Sequence, residues 1–550
     1  MNALPTITRV PLCLLGLFSL TLFVSPVAAQ VFDAGPSDSA LFDTVINIPT
    51  DPDFGDSVSI GGDGSTTQLN ITDGGSIGDL FEADSGSELN ISGGIVGFEF
   101  NANSDSEVNI SGGFIQRFSA ANDGSVVNLS GGLIDFGFNA NSGSEVNISG
   151  GNIVMFFVAR SGSGVNISGG NAGLFFDAES GSEVNISGGF IGNGFDAESN
   201  SDVNISGGSF GRGFRALIDS DVELIGGDFQ LNGEAFTGST ISFGVGLTDN
   251  ADMSIPTATA ALLRNNGDVF TGTLADGSAF IFSEADFDDF SEVQLTLAPL
   301  PAVDLSPIVV STPNPNLSSS LRAGQELTLL DGGELNGLTA VGATLNVEGG
   351  ILGNGAEVAG STVNISGGEV GAVFDAEAGS QINISGGVVG SAFNAESGSE
   401  VNISGGTFGS NFDAFADSVI NLFGSNFVLD GVPLDGGLTT NSAFTVLDRD
   451  VILSGLLADG SPFSFDLTSF NVDTEGYFDP DATLTVTLVP SDPNFILCDV
   501  NQDGVLDFAD IPAFIGVLQA GTFLQEADCN EDGVVDFSDI PAFIAALIAS

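Results

Sequence analysis

Residues 499–510 read DVNQDGVLDFAD and residues 528–539 read DCNEDGVVDFSD, two twelve-residue stretches 29 positions apart. In the first, Asp499, Asn501 and Asp503 bring side-chain oxygens to alternate positions. Gly504 permits a sharp bend, Val505 offers its backbone carbonyl, Asp507 reaches inward directly or through water, and Asp510 closes the set. The same roles in the second fall to Asp528, Asn530, Asp532, Gly533, Val534, Asp536 and Asp539. A hard cation that takes about six to eight oxygen ligands is wrapped by this spacing. Two tandem matches predict two bound Ca2+ ions.

Each loop needs a scaffold to hold its ends. Ile511, Phe514, Ile515 and Leu518 follow the first loop at helical spacing, and Ile540, Phe543, Ile544 and Leu547 follow the second. Pro512 and Pro541 fall in the first turn of these helices, where a missing N–H is tolerated. The two apolar stripes are expected to form the small core of a C-terminal module. Cys498 and Cys529 are the cysteines left once an N-terminal leader is removed, and in an exported chain they predict a single disulfide. Fifty-odd residues bury little, so both calcium and this bridge would add stability.

This paired loop–helix pattern over 494–550, about a tenth of the chain, resembles the type I dockerin repeats of exported bacterial proteins. The resemblance implies a calcium-folded module that docks onto a cohesin domain of a scaffold or cell-surface protein, in a family often engaged in polysaccharide breakdown. Dockerins commonly place recognition residues just before the last ligand of each loop. Here those positions hold Phe508-Ala509 and Phe537-Ser538. Their near symmetry would allow binding in two orientations.

The rest of the chain is built from a phrase, SEVNISGG and its variants. Asn90, Asn109, Asn128, Asn147, Asn166, Asn185 and Asn204 are each 19 residues apart, with Asn70 before them and Glu223 in the slot after. A second array carries Asn346, Asn364, Asn383, Asn402 and Asn421. A fixed period near 20 residues signals a solenoid. Val184 and Ile186 flank Asn185, so they share one face of a strand while the Asn faces the other way. A Phe column runs Phe138, Phe157, Phe176, Phe195, Phe214 and returns as Phe374, Phe393, Phe412. Stacking at ~4.8 Å makes nine rungs a rod on the order of 40 Å long. Core columns of Phe and Ile are expected inside it, and an Asn ladder from rung to rung. NIS also matches a glycosylation acceptor, a pattern common by chance.

The two arrays end alike. FQLNG (229–233) matches FVLDG (427–431), and LADGSAF (274–280) matches LADGSPF (457–463). These β-rich tails are read as end caps over an otherwise exposed sheet edge. The Pro-rich stretch 299–315 is read as the joint. The expected fold is therefore mainly β: two right-handed parallel β-helix arrays, 30–300 and 301–490, each with a β-rich cap, and a small α module at 494–550. The arrays are loosely similar to the repetitive surface-exported β-solenoids of aquatic bacteria.

Met1–Ala29 reads as a secretory signal: Arg9 gives the positive start, Pro11–Val24 is apolar, and Val27-Ala28-Ala29 is a small-residue cleavage site. No later apolar run is long enough to span a bilayer, so a secreted, extracellular protein is expected, with surface attachment through its module. The balance of 72 acidic against 8 basic residues, a net charge of −64, argues against nucleic acid as a partner. It suits a saline medium. Asp177 and Asp196 are one rung apart, as are Glu179 and Glu198. The reading adopted for them is a solvated, salt-screened face, with weak cation binding between rungs as the alternative.

Catalysis is the less favoured reading. Parallel β-helix lyases that cleave acidic polysaccharides use Lys, Arg or His, and this chain has no Lys, no His and scattered arginines. Paired carboxylates alone could serve a glycoside hydrolase, but the coils are unusually regular. A glycan-binding platform is a further alternative, weakened by the lack of Trp, a single Tyr477 and a Phe column that reads as internal. The expected function is a non-catalytic structural or interaction protein.

Overall fold

The computed structural model describes residues 45–48, 56–62, 67–243, 259–262, 268–283, 292–313, 320–335, 337–434, 437–469, 476–489, 498–501, 505–520, 527, 529, 535 and 537–549. The Met1–Ala29 signal expectation lies outside them. The fold is mainly β, a parallel β-solenoid of roughly 19 residues per coil followed by two short helices.

Each coil contributes a long strand, such as Glu145–Ile153, and a short one, such as Phe138–Ala140. Long strands pair in parallel with the coils on either side, so that Val127, Val146, Val165 and Val184 stand in line. The alternation of Val and Ile with Asn makes one face fully apolar: Val146, Ile148, Val165 and Ile167 are buried. Each long strand shifts register at its Ser-Gly-Gly, bending around the corner of the coil. Gly170 shows why glycine is required there. Its φ is +76°, and a Cβ would lie 2.6 Å from the carbonyl carbon of Gly150 in the preceding coil.

All three letters of NIS act between coils. Asn128 donates to Asn109 at 2.9 Å, Asn147 to Asn128 at 3.0 Å and Asn166 to Asn147 at 2.9 Å, and the ladder continues to Asn204. A second ladder links Asn346 through Asn421. Ile fills the core, and the Ser hydroxyl reaches a carbonyl one coil back, as Ser130 does to Ile110 at 3.2 Å. The expected Phe column is internal: Phe157, Phe176 and Phe195 are buried with ring centroids 4.6 and 4.8 Å apart, and Phe374, Phe393 and Phe412 stack at 5.1 and 5.0 Å. Phe81 and Phe100 extend the column, and buried Ser119 interrupts it. Burying each ring adds about 1.5–3 kcal/mol.

The tails close the last coil of each array. In the first, strand Glu292–Leu297 adds in parallel beside Asp221–Leu231, with Val293 and Leu295 continuing the Val222 and Leu224 columns. The hairpin Val269–Leu274/Ala279–Ser283 pairs antiparallel with the end of Asp221–Leu231 and lays Phe282 on Phe214, 4.8 Å between centroids. The second array repeats this with Thr483–Leu488, the hairpin Ile452–Leu457/Pro462–Asp466, and Phe465 on Phe412 at 5.0 Å. The shared LADG turn explains its own repetition: Asp276 accepts the Gly208 N–H, and Asp459 accepts the Gly406 N–H, both at 2.8 Å.

The joint is more ordered than its prolines suggest. Ile308–Val310 forms a strand beside Glu326–Leu329, the first layer of the second array. Arg322 donates to the Pro301 carbonyl at 2.9 Å. The outer face of the first cap meets the flank of the second array: Val269 and Ile281 bury against Ala359, with Val341 and Ala378 beside them. Arg212 pairs there with Asp375.

Candidate functional site

The first calcium-type loop is drawn together by its last acid. Asp510 opens the helix Asp510–Ala520, and its carboxylate accepts the Asn501 N–H at 2.9 Å and the Asp507 N–H at 2.8 Å. One side chain thus ties Asn501 and Asp507 to the helix start, where a carboxylate is also favoured by the helix dipole. Asp507 accepts from the Ala509 N–H at 2.6 Å. Asp499 and Asp510 are buried, 2% and 0% exposed, and Asp539, which opens the helix Asp539–Ala549, is also 0% exposed. Val505 is exposed. Asp503, Asp528, Asn530, Asp532, Val534 and Asp536 lie outside the described residues, as do Gly504 and Gly533. Among the described residues no three His, Cys, Asp or Glu side chains gather around one point.

The donor chemistry suits a hard cation. Residues 494–550 contain no Lys, Arg or His, so three buried carboxylates lie in a segment without a single basic side chain. Buried carboxylates are held by hydrogen bonds, by a paired charge or by a metal ion, and oxygen-only donors suit Ca2+ or Mg2+ better than softer metals.

The helices pack through equivalent residues. Phe514 and Phe543 stack at 4.2 Å, and with Cys498, Val500, Ala527 and Cys529 they form the module's core. Cys498 and Cys529 are joined by a disulfide with Cα atoms 5.5 Å apart. Ile511, Leu518, Ile540 and Leu547 pack around that core. Ile515 and Ile544, expected in the same stripes, instead face outward at 46% and 50% exposure. A helix packed on one partner covers only part of its circumference, and the i+1 neighbour of the buried Phe falls outside it. Phe508 and Phe537 are 76% and 79% exposed, with Ala509 and Ser538 exposed beside them. Each loop–helix unit therefore exposes a Phe before its helix and an Ile within it at matching positions.

The arginines of the rod have structural partners. Arg117 pairs with Asp135, Arg215 with Asp196 and Arg212 with Asp375, while Arg160 donates to Asn139. Arg449 donates to the carbonyls of Val446, Asp479 and Ala482. Arg264 lies outside the described residues. In the acidic columns, burial and then the charges of Asp196, Glu198 and Glu179 push the Asp177 carboxyl up to about 6, against the opposing pull of Arg215. Tyr477 donates to Asp479 at 2.6 Å, and burial with that bond pushes its hydroxyl up to about 12.

One feature was missed by sequence reasoning, a second Phe row on the outside of the first array. The doublets Phe156-Phe157 and Phe175-Phe176, 19 residues apart, were its signal. One member of each is buried and the other is exposed.

No protein-family model matches this chain, and no curated protein matches it. No helix among the described residues is long and apolar enough to cross a membrane.

Proposed function

We propose that this protein is an exported, non-catalytic rod that attaches through a calcium-dependent, dockerin-like C-terminal module to a cohesin-type partner on a scaffold or cell surface. The observation that carries this reading is the Asp510 carboxylate, at the last ligand position of the first loop, drawing the Asn501 and Asp507 N–H groups to the start of its helix, with Asp499, Asp510 and Asp539 all buried. Two Ca2+ ions would neutralise those carboxylates and fix the loops. Asp499, Asn501, Asp503, the Val505 carbonyl, Asp507 and Asp510 would hold one ion. Asp528, Asn530, Asp532, the Val534 carbonyl, Asp536 and Asp539 would hold the other. The matching exposed pairs Phe508/Ile515 and Phe537/Ile544 would then serve as twin anchors for the partner, in either orientation. The non-catalytic part of the reading is supported by the regular ladders and by arginines engaged in packing and pairing.

Calorimetric titration of the mature full chain with Ca2+ tests the first half. Two ions should bind, and Asp510→Asn with Asp539→Asn should abolish uptake. Absence of calcium uptake by the parent chain would overturn the reading. Immobilised cohesin domains, probed with calcium and with chelator, test the second half. Capture should require calcium and fall at least tenfold when Phe508 and Phe537 are both changed to Ala. Failure of any cohesin to bind the calcium-loaded chain would reduce the module to an end-piece.

A further inference from the structure

The C-terminal module is crosslinked once, and the place of the crosslink singles it out. Cys498 immediately precedes Asp499, the first ligand position of the first loop. Cys529 immediately follows Asp528, the first ligand position of the second. The bridge therefore joins loop to loop, and not a loop to its own helix. Both cysteines are buried, at 0% and 7% exposure, in the core they share with Phe514 and Phe543. Their separation of 31 residues encloses the whole first loop and the helix Asp510–Ala520.

The backbone at the bridge is unusual. Cys498 has a φ of 73°, in the left-handed region that a residue with a Cβ rarely enters. Asp499 follows it and is 2% exposed, Val500 lies in the core, and Asn501 donates its N–H to Asp510 at 2.9 Å. The limb 498–501 is thus fixed at its far end by Asp510 and at its near end by the bridge. On the second loop, Ala527 and Cys529 both belong to the core. A left-handed residue turns the chain after it, so the backbone at Cys498 sets the direction in which Asp499 leaves. Strain that the surrounding structure holds in this way is a pointer to function.

We propose that the Cys498–Cys529 bridge is a redox gate on calcium binding, coupling the two loops so that an ion in one raises the affinity of the other. The proposal rests on the calcium reading of the loops and adds its regulation. A disulfide removes conformations from the open chain, and ligands already in place cost less to order when the ion arrives. Cys498 acts through Asp499 and is a positioning residue, since a hard cation takes oxygen ligands and not sulfur. Reduction by a dithiol breaks the Sγ–Sγ bond. Two electrons and two protons pass to the sulfurs, two thiols form, and the dithiol closes to its own cyclic disulfide. Cys498 then leaves the left-handed region, and Asp499 moves with it. The loops lose their covalent link and stay joined through the core, where Phe514 stacks on Phe543 at 4.2 Å. Coupling is reciprocal, so calcium in turn protects the bridge from reduction. For an exported chain the gate opens where disulfides persist, outside the reducing cytosol.

Calorimetric titration of the mature full chain with Ca2+, before and after treatment with dithiothreitol, tests the proposal. The oxidised chain should bind two ions cooperatively. The reduced chain and the double variant Cys498→Ser, Cys529→Ser should both bind at least tenfold more weakly. Asp539→Asn, which removes an acid from the second loop, separates coupling from a simple loss of stability. It should weaken binding at the first loop at least fivefold in the oxidised chain and less than twofold in the reduced one. Phe543→Leu loosens the same core with the bridge intact, so it should lower the module's melting temperature and leave the fivefold coupling in place. Thiol titration gives a second readout: excess Ca2+ should slow reduction of the bridge at least tenfold relative to chelator. Equal calcium affinity before and after reduction would overturn the proposal and leave the calcium reading standing. Coupling lost in Phe543→Leu would also overturn it, since core packing would then be the link. No calcium uptake by the oxidised chain would overturn both.

Discussion

Arg212 of the first array and Asp375 of the second form an ion pair across the junction of the two units, and the Asp375 side chain is 2% exposed. Burial pushes the Asp375 carboxyl up, while Arg212 and a 2.7 Å bond from Asn394 pull it back down. Arg212→Ala would leave a buried carboxylate uncompensated, at a cost of about 3 kcal/mol. Calorimetric melting should show that loss at pH 7. The variant should recover stability as the pH falls toward 5, because its raised Asp375 takes up a proton in the folded state before it does in the unfolded one. A variant equally destabilised at both pH values would remove Asp375 as the cause.

The Asn ladder is expected to act as a chain of single links. Asn166 donates to Asn147 and accepts from Asn185. Asn166→Ala breaks both bonds and should cost about 1–2 kcal/mol, read as a lower midpoint in urea. Asn166→Asp keeps the size but loses the donor and adds a charge among acids. It should cost more at pH 7 than at pH 4.

Asp177 ties stability to pH in the same direction. Its folded-state carboxyl sits at about 6 against an ordinary 3.8, so the folded chain binds the proton more tightly. Stability from this group is gained as pH falls through 6 and lost as pH rises above it. Melting temperature should therefore climb between pH 7 and pH 5. Asp177→Asn should raise it at pH 7 and flatten the slope, and added salt should do part of the same work by screening.

Asp510 has a structural role before any metal is considered. Its carboxylate holds the Asn501 and Asp507 N–H groups. In the presence of chelator, Asp510→Ala should lower the module's melting temperature through the loss of a cap interaction of about 1 kcal/mol. Asp510→Asn keeps an acceptor oxygen and should recover part of that loss, while restoring no calcium uptake.

The order of the rod was legible in the sequence because it is nearly translational. Residues 19 apart repeat, and repetition with in-register pairing puts like on like: Asn185 on Asn166, Val184 on Val165, Phe176 on Phe157. Alternation around Asn185 told which face was core, since successive residues of a strand point opposite ways. The caps were visible as duplicated text. Tertiary structure alone decided what local pattern leaves open. Phe156 stands exposed beside buried Phe157, as alternation requires, but its contacts with Phe136 at 4.8 Å and Phe175 at 5.3 Å on the outside of the rod are set by how the coils stack. Ile515 carries the same helical spacing as Phe514 but falls outside the face its partner helix covers. Ile308–Val310 is a strand despite its prolines, because the second array offers it an edge. Arg212 meets Asp375 across 163 residues of chain. Pairings of that kind are set by how finished units pack, and a period of 19 carries no trace of them.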